Sequence, residues 1–201
     1  AHSAWGIEDQ LLSLQHQSTM ANFADQQQRM TLSNQFAIRR EDNQLQRMNS
    51  SHSFSQWQWS ASYNQFNQQQ AWARQDWGYQ DTTRNLNFGW QMDDLNEAIR
   101  FSSGRERRQL VRQRDRAALS HNLEEGQIET QRERQEQLWA QEEERFQKQR
   151  QYMLEMQGLD RESFAINKEQ RETFFKLDQE AFARRMNEYE EQKKLEDEMR
   201  E

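Results

Sequence analysis

Large apolar residues recur along this 201-residue chain at two intervals, eleven and seven. Trp77, Phe88, Ile99 and Leu110 follow one another at eleven, then Trp139, Phe146 and Met153 at seven. Phe164 and Phe175 continue from Met153 at eleven, and Phe182 and Tyr189 at seven. Each residue of an α-helix turns the chain by about 100°, so a step of eleven advances the face by about 20° and a step of seven sets it back by as much. Mixing the two steps keeps these residues on one narrow stripe. Trp59, Tyr63, Phe66, Met92, Leu95, Ile128, Met156 and Phe174 fall on or beside it. The pattern predicts an all-α protein of long amphipathic helices, forming an extended coiled coil or a helical bundle or tube, with no sheet.

A second apolar set lies roughly a third of a turn away from the first. It comprises Trp72, Trp90, Phe101, Leu119, Leu123, Leu159, Ile166, Leu177 and Leu195. A helix in a two-stranded coiled coil needs one seam. Two seams imply neighbours on both sides, and Trp, Phe and Tyr are bulky for a tight dimer core. The residues of the first stripe, Trp77 to Tyr189, are therefore read as an oligomer seam, buried against other copies or against a hairpin partner.

Breaks in the pattern are few. Asn49-Ser50-Ser51-His52-Ser53 is the best loop candidate, because Ser and Asn favour caps and turns over helix interiors. Ser102-Ser103-Gly104 reads as a kink or cap, with His121-Asn122 and Glu125-Gly126 as weaker candidates. These signals divide the chain into residues 1–54, an amide-rich helical segment ending in the Ser/Asn loop; 55–101, an aromatic and Gln-rich helix; and 102–201, a long charged helix. Taken as one run, Trp59 to Tyr189 would span about 195 Å at 1.5 Å per residue. This extended form is preferred here over a fold-back at Ser102-Ser103-Gly104.

Composition supports helices and argues against a compact core. There is no Pro, which costs about 3 kcal/mol inside a helix and is otherwise common in loops. Hydrophobic residues make up 33%, well below the near-half of ordinary globular domains. Disorder would explain that figure, but 7 Trp, 11 Phe and 4 Tyr are too many for a chain that buries nothing. With no Cys, disulfides and thiolate chemistry are excluded. No apolar run is long enough to span a bilayer. The start shows no signal peptide, and its lack of Met suggests processing or a segment of a longer chain.

Charge is unevenly spread. Residues 1–97 carry 10 acids and 6 bases, whereas the remainder carries 24 acids and 21 bases. The first part substitutes Gln, Asn, Ser and aromatics for charge, read as an amide-rich helix face. One stretch departs from the net charge of −7: Arg100, Arg105, Arg107, Arg108, Arg112, Arg114 and Arg116 stand against Glu106 and Asp115. Repeated around an oligomer, this forms a positive belt for phosphates or an acidic partner. A solvated face paired with Glu-rich neighbours is the plainer reading.

The four His residues, at 2, 16, 52 and 121, have no metal-ligand spacing. His121 with Glu124 and Glu125 is ordinary for a charged helix. No phosphate loop, nucleophile elbow or zinc spacing is present. No catalytic residue, metal site or cofactor is therefore assigned, and the chain is read as a non-enzyme.

The segments Gln135-Glu136-Gln137-Leu138-Trp139-Ala140-Gln141-Glu142-Glu143-Glu144-Arg145-Phe146 and Phe182-Ala183-Arg184-Arg185-Met186-Asn187-Glu188-Tyr189-Glu190-Glu191-Gln192 resemble the helical middle of phage tail tape-measure proteins. The likeness is one of composition and style over residues 55–200. The amide-rich first half is similar to helical virion proteins that form DNA conduits, such as microvirus pilot proteins. The resemblance implies a structural role in a phage tail or virion interior, as a homo-oligomer meeting other virion proteins and DNA. The alternatives are a nucleic-acid-binding coiled coil using the Arg belt, and a cytoplasmic or secreted scaffold coiled coil.

Overall fold

The computed structural model describes residues 2–199, with side chains from Gly6 onward. Two helices account for nearly all of it: α1, His2–Phe101, and α2, Gly104–Glu198. Among the described residues there is no strand, as the pattern predicts. The single helical run expected from Trp59 to Tyr189 is not formed. The chain reverses at Ser102 and Ser103, and the two helices pair antiparallel. The stripe read as a seam against other copies or a hairpin partner meets the other helix of its own chain.

The reversal has a local chemical cause. The Ser102 amide and hydroxyl both reach the Ile99 carbonyl, at 3.4 and 3.1 Å, satisfying an acceptor that the end of α1 would leave open. The Ser103 carbonyl accepts from the Arg107 amide at 3.4 Å and so begins the α2 ladder. Between these bonds Gly104 has φ +58°, a left-handed conformation that costs an L side chain about 1 kcal/mol.

Packing divides the chain into two units, each drawing on both helices. The first comprises residues 1–53 with 155–201; the second comprises 54–154. The positions of α1 in the second unit that are not exposed begin at 55 and end at 99, and between Trp59 and Leu95 they run 59, 63, 66, 70, 73, 77, 81, 84, 88, 92 and 95. That is 36 residues in ten steps, 3.6 per step. The facing stripe of α2 from Leu110 to Phe146 covers the same 36 residues. A period of 3.6 is that of the straight α-helix, so the contact face does not drift as a strict heptad would make it drift. The mixture of seven and eleven in the sequence serves this purpose.

The rings interlock along that face. Trp59, Tyr63 and Phe66 gather around Phe146, with centroids 6.4, 5.6 and 5.2 Å away. The Trp59 indole N–H donates to the Phe146 carbonyl at 2.9 Å. Trp77 stacks on Trp139 at 5.3 Å, and Phe88 lies parallel to the His121 ring at 3.8 Å. In the first unit Phe23 sits between Phe182 and Tyr189, and His16 stacks on Tyr189. All residues of the predicted seam are at least partly covered, and Ile99, Phe146 and Phe182 are buried. Met156 and Phe174 are not; their neighbours Gln157 and Phe175 take the seam positions instead.

The loop expected at Asn49–Ser53 is helix. Helix propensities of Ser and Asn differ from better formers by only about 0.5 kcal/mol each, and tertiary contacts override them. Here His52 is 6% exposed and binds Asp160 at 3.0 Å, while Gln157 donates to its carbonyl at 3.3 Å. The weaker breaks at His121-Asn122 and Glu125-Gly126 are also helical.

Phe146→Ala should lower stability by about 3 kcal/mol, as loss of a buried ring does, and Gly104→Ala by about 1 kcal/mol from backbone strain, since its Cβ would meet open space. Tyr152→Ala, at a residue 65% exposed, should change it by less than about 0.5 kcal/mol. Urea unfolding followed by circular dichroism checks all three; equal losses at Phe146 and Tyr152 would contradict the seam.

Candidate interaction surfaces

Polar side chains punctuate the seam. Arg74 forks onto Glu136 at 3.0 and 2.8 Å with its guanidinium over the Trp139 ring. Arg132 binds Asp81 at 2.6 Å, reaches the Trp77 carbonyl at 3.3 Å and covers the Trp77 ring. Tyr63 donates to Glu143 at 2.6 Å. In the first unit Arg171 joins Glu41 and Asn34. A pair as open to water as Arg74–Glu136 adds little to stability. The larger effect of these contacts is on register, because sliding one helix by a turn would separate every one of them.

These contacts move the titrations of their members. The hydrogen bond from Arg132 holds the Asp81 carboxyl below its ordinary value, with Arg84 adding to it. Arg74 does the same to Glu136, and the Tyr63 hydroxyl to Glu143. The Tyr63 phenol is raised by the same bond, and Arg171 is raised by Glu41.

Outside the seam lies apolar surface with nothing on it. Every residue of the second set is exposed: in the second unit Trp72, Trp90, Phe101, Leu119 and Leu123, and in the first Leu159, Ile166, Leu177 and Leu195. The exposure of Trp90 and Leu123 reaches 61% and 62%. Phe54, Trp72 and Trp90 stand 18 residues apart, five full turns, and so form one line along α1. No side chain anywhere in the described chain is fully buried, because each helix can cover only one stripe of the other.

The predicted Arg belt adjoins the reversal in the second unit. Arg100, Arg105, Arg107, Arg108, Arg112 and Arg116 are exposed, and Arg114 is partly covered. Arg114 meets Asp115 at 3.3 Å and the Asn96 amide oxygen at 3.4 Å, and Arg100 lies over the Phe101 ring. Of the belt, only Arg114 forms an ion pair among the described residues. His121 pairs with Glu125 at 3.1 Å as part of the seam, not as part of a ligand set. Among the described residues no group of three His, Cys, Asp or Glu is placed to hold a metal ion.

Sequence reasoning missed a second basic surface. Arg29, Arg39, Arg40 and Arg47 border an open groove on α1 with Leu32 and Phe36. They are four of the six bases in residues 1–97. Net charge over that stretch concealed them, whereas the 18-residue spacing of Arg29 and Arg47 would have revealed a common face. Comparison with protein-family models, with curated proteins and with solved structures gave no match.

The depressed carboxylates fix the sign of the acid response. Their folded values lie below the unfolded ones, so their contribution is complete above about pH 5 and is lost as pH falls through about 4 toward the folded values. The melting temperature should fall over that range, and less steeply in the double variant Asp81→Asn, Glu136→Gln. Equal falls in both proteins would show that these pairs do not couple to folding.

Proposed function

We propose that this chain is a non-enzymatic structural subunit that works by shape and self-association, in the setting its resemblance implies: a phage tail or virion interior. The observation that carries this reading is the second apolar set. Covering one exposed Leu or Trp adds about 1.5–3 kcal/mol, and lines of such residues on a highly charged chain mark a surface made to be covered. Helices with a second apolar face about a third of a turn from the seam suit a bundle or tube assembled from many copies. The amide-rich and aromatic composition of α1 agrees with that use.

A second reading attaches to the Arg belt. Six exposed guanidinium groups beside one helix reversal would hold phosphates of nucleic acid, and such binding would weaken steeply with salt. The two readings are compatible if the assembly surrounds DNA.

At micromolar concentration the purified chain should have a native mass at least twice its 24.6 kDa. The double variant Leu119→Asp, Leu123→Asp should lower that mass with helicity unchanged, measured by light scattering after gel filtration and by circular dichroism. A wild-type chain that stays at 24.6 kDa across the range contradicts the proposal.

A further inference from the structure

Two faces of the first unit match each other in charge and in spacing. On α1, Arg29, Phe36, Arg40 and Arg47 fall within about 40° of one another at 100° per residue. Arg29 and Arg47 are 18 residues apart, which is five turns and about 27 Å. Among the described residues none of Arg29, Arg39, Arg40 and Arg47 forms an ion pair, and Phe36 beside them is 55% exposed. Arg171, by contrast, is held in the seam by Glu41.

On α2 the complementary face repeats with the same interval. Leu159, Leu177 and Leu195 are each 18 residues apart and lie on one line, with Ile166 about 20° to the side. All four are exposed. Glu162 and Glu180 follow Leu159 and Leu177 by three residues, and Glu155 and Glu191 precede Leu159 and Leu195 by four. The crest is apolar except for the exposed Arg184, seven residues after Leu177 and about 20° to the side, and one flank is acidic. Both faces point away from the seam: α1 uses Asn34, Ala37 and Glu41 there, and α2 uses Phe164, Phe175 and Phe182.

We propose that the Arg29–Arg47 face of one copy packs against the Leu159–Leu195 ridge of a second copy. The proposal rests on the self-association reading and names the surfaces that carry it. Straight helices place Arg29 and Arg47 at the separation of Glu162 and Glu180, so both ion pairs form in one register. With the two helices parallel, Leu32 and Phe36 then flank Ile166. The two faces are different, so the contact is head-to-tail, and each copy keeps one face free to take the next. A chain with net charge −7 gains from such pairing, because unpaired arginines meet acids that would otherwise repel one another.

The test uses the full-length chain, with sedimentation read at low and high salt. The triple variant Arg29→Glu, Arg40→Glu, Arg47→Glu and the double variant Glu162→Arg, Glu180→Arg should each weaken association at least about tenfold, since opposed like charges disfavour a contact by several kcal/mol. Carrying both sets of changes in one chain should restore it, because the charges are then exchanged and not removed. Circular dichroism should show all variants as helical as the wild type. Association of the wild type that survives either reversal undiminished overturns this interface while leaving self-association intact. Failure of the combined variant to recover overturns it too. If the triple variant associates normally but loses salt-sensitive retention of a single-stranded oligonucleotide, the Arg face serves nucleic acid and the proposal falls. A wild-type chain that does not associate at all defeats both readings.

Discussion

Two helices lying side by side can cover one stripe on each other and no more. That constraint governs how both units of this protein are built. The stripe must stay on one side of each helix over many turns, and seven- and eleven-residue steps in combination keep it there at 3.6 residues per step. Burial remains shallow even so: Phe66, Leu95, Ile99, Phe146 and Phe182 are the only apolar residues that count as buried among those described. Large aromatics suit this geometry, because a ring gains area from a single neighbour where an aliphatic side chain would need a surrounding core.

Shallow burial also explains the polar pins. An aromatic stripe of uniform character would tolerate slippage by a turn. The Arg74–Glu136 fork, the Arg132–Asp81 pair and the Tyr63–Glu143 bond each specify one register. His52 shows the cost of such a device. Its Nε2 has Asp160, but its Nδ1 is buried without a partner. A buried polar atom left so costs about 1–3 kcal/mol, which the surrounding helix contacts have to offset.

The sequence made the stripe legible because its arithmetic depends only on helix geometry, and Ser102-Ser103-Gly104 was legible as a break from its residue types. What covered the stripe was not legible. A seam of aromatics looks the same whether the facing helix belongs to a second copy or to the same chain, so periodicity alone does not reveal the reversal. The register pins were hidden for a related reason. Glu143, Glu136 and Asp81 are ordinary acids on charged helices until a particular Tyr or Arg is set opposite them. Asn49–Ser53 misled in the other direction, since small polar residues with weak helix preference were held by contacts over a hundred residues away. The Arg29–Arg47 face escaped because charge was averaged over a long segment.

The claim on which everything else depends is that α1 and α2 of one chain pair antiparallel in this register. The chain contains no Cys, so the change Arg74→Cys with Glu136→Cys introduces only the two thiols wanted. A short bis-maleimide applied to a mixture of isotopically heavy and light chains should join peptides bearing residues 74 and 136 as heavy–heavy and light–light products alone. The pair Arg74→Cys with Glu124→Cys, displaced by about 18 Å along α2, should not join. Mixed heavy–light products in statistical proportion, or equal reaction of the displaced pair, would contradict it.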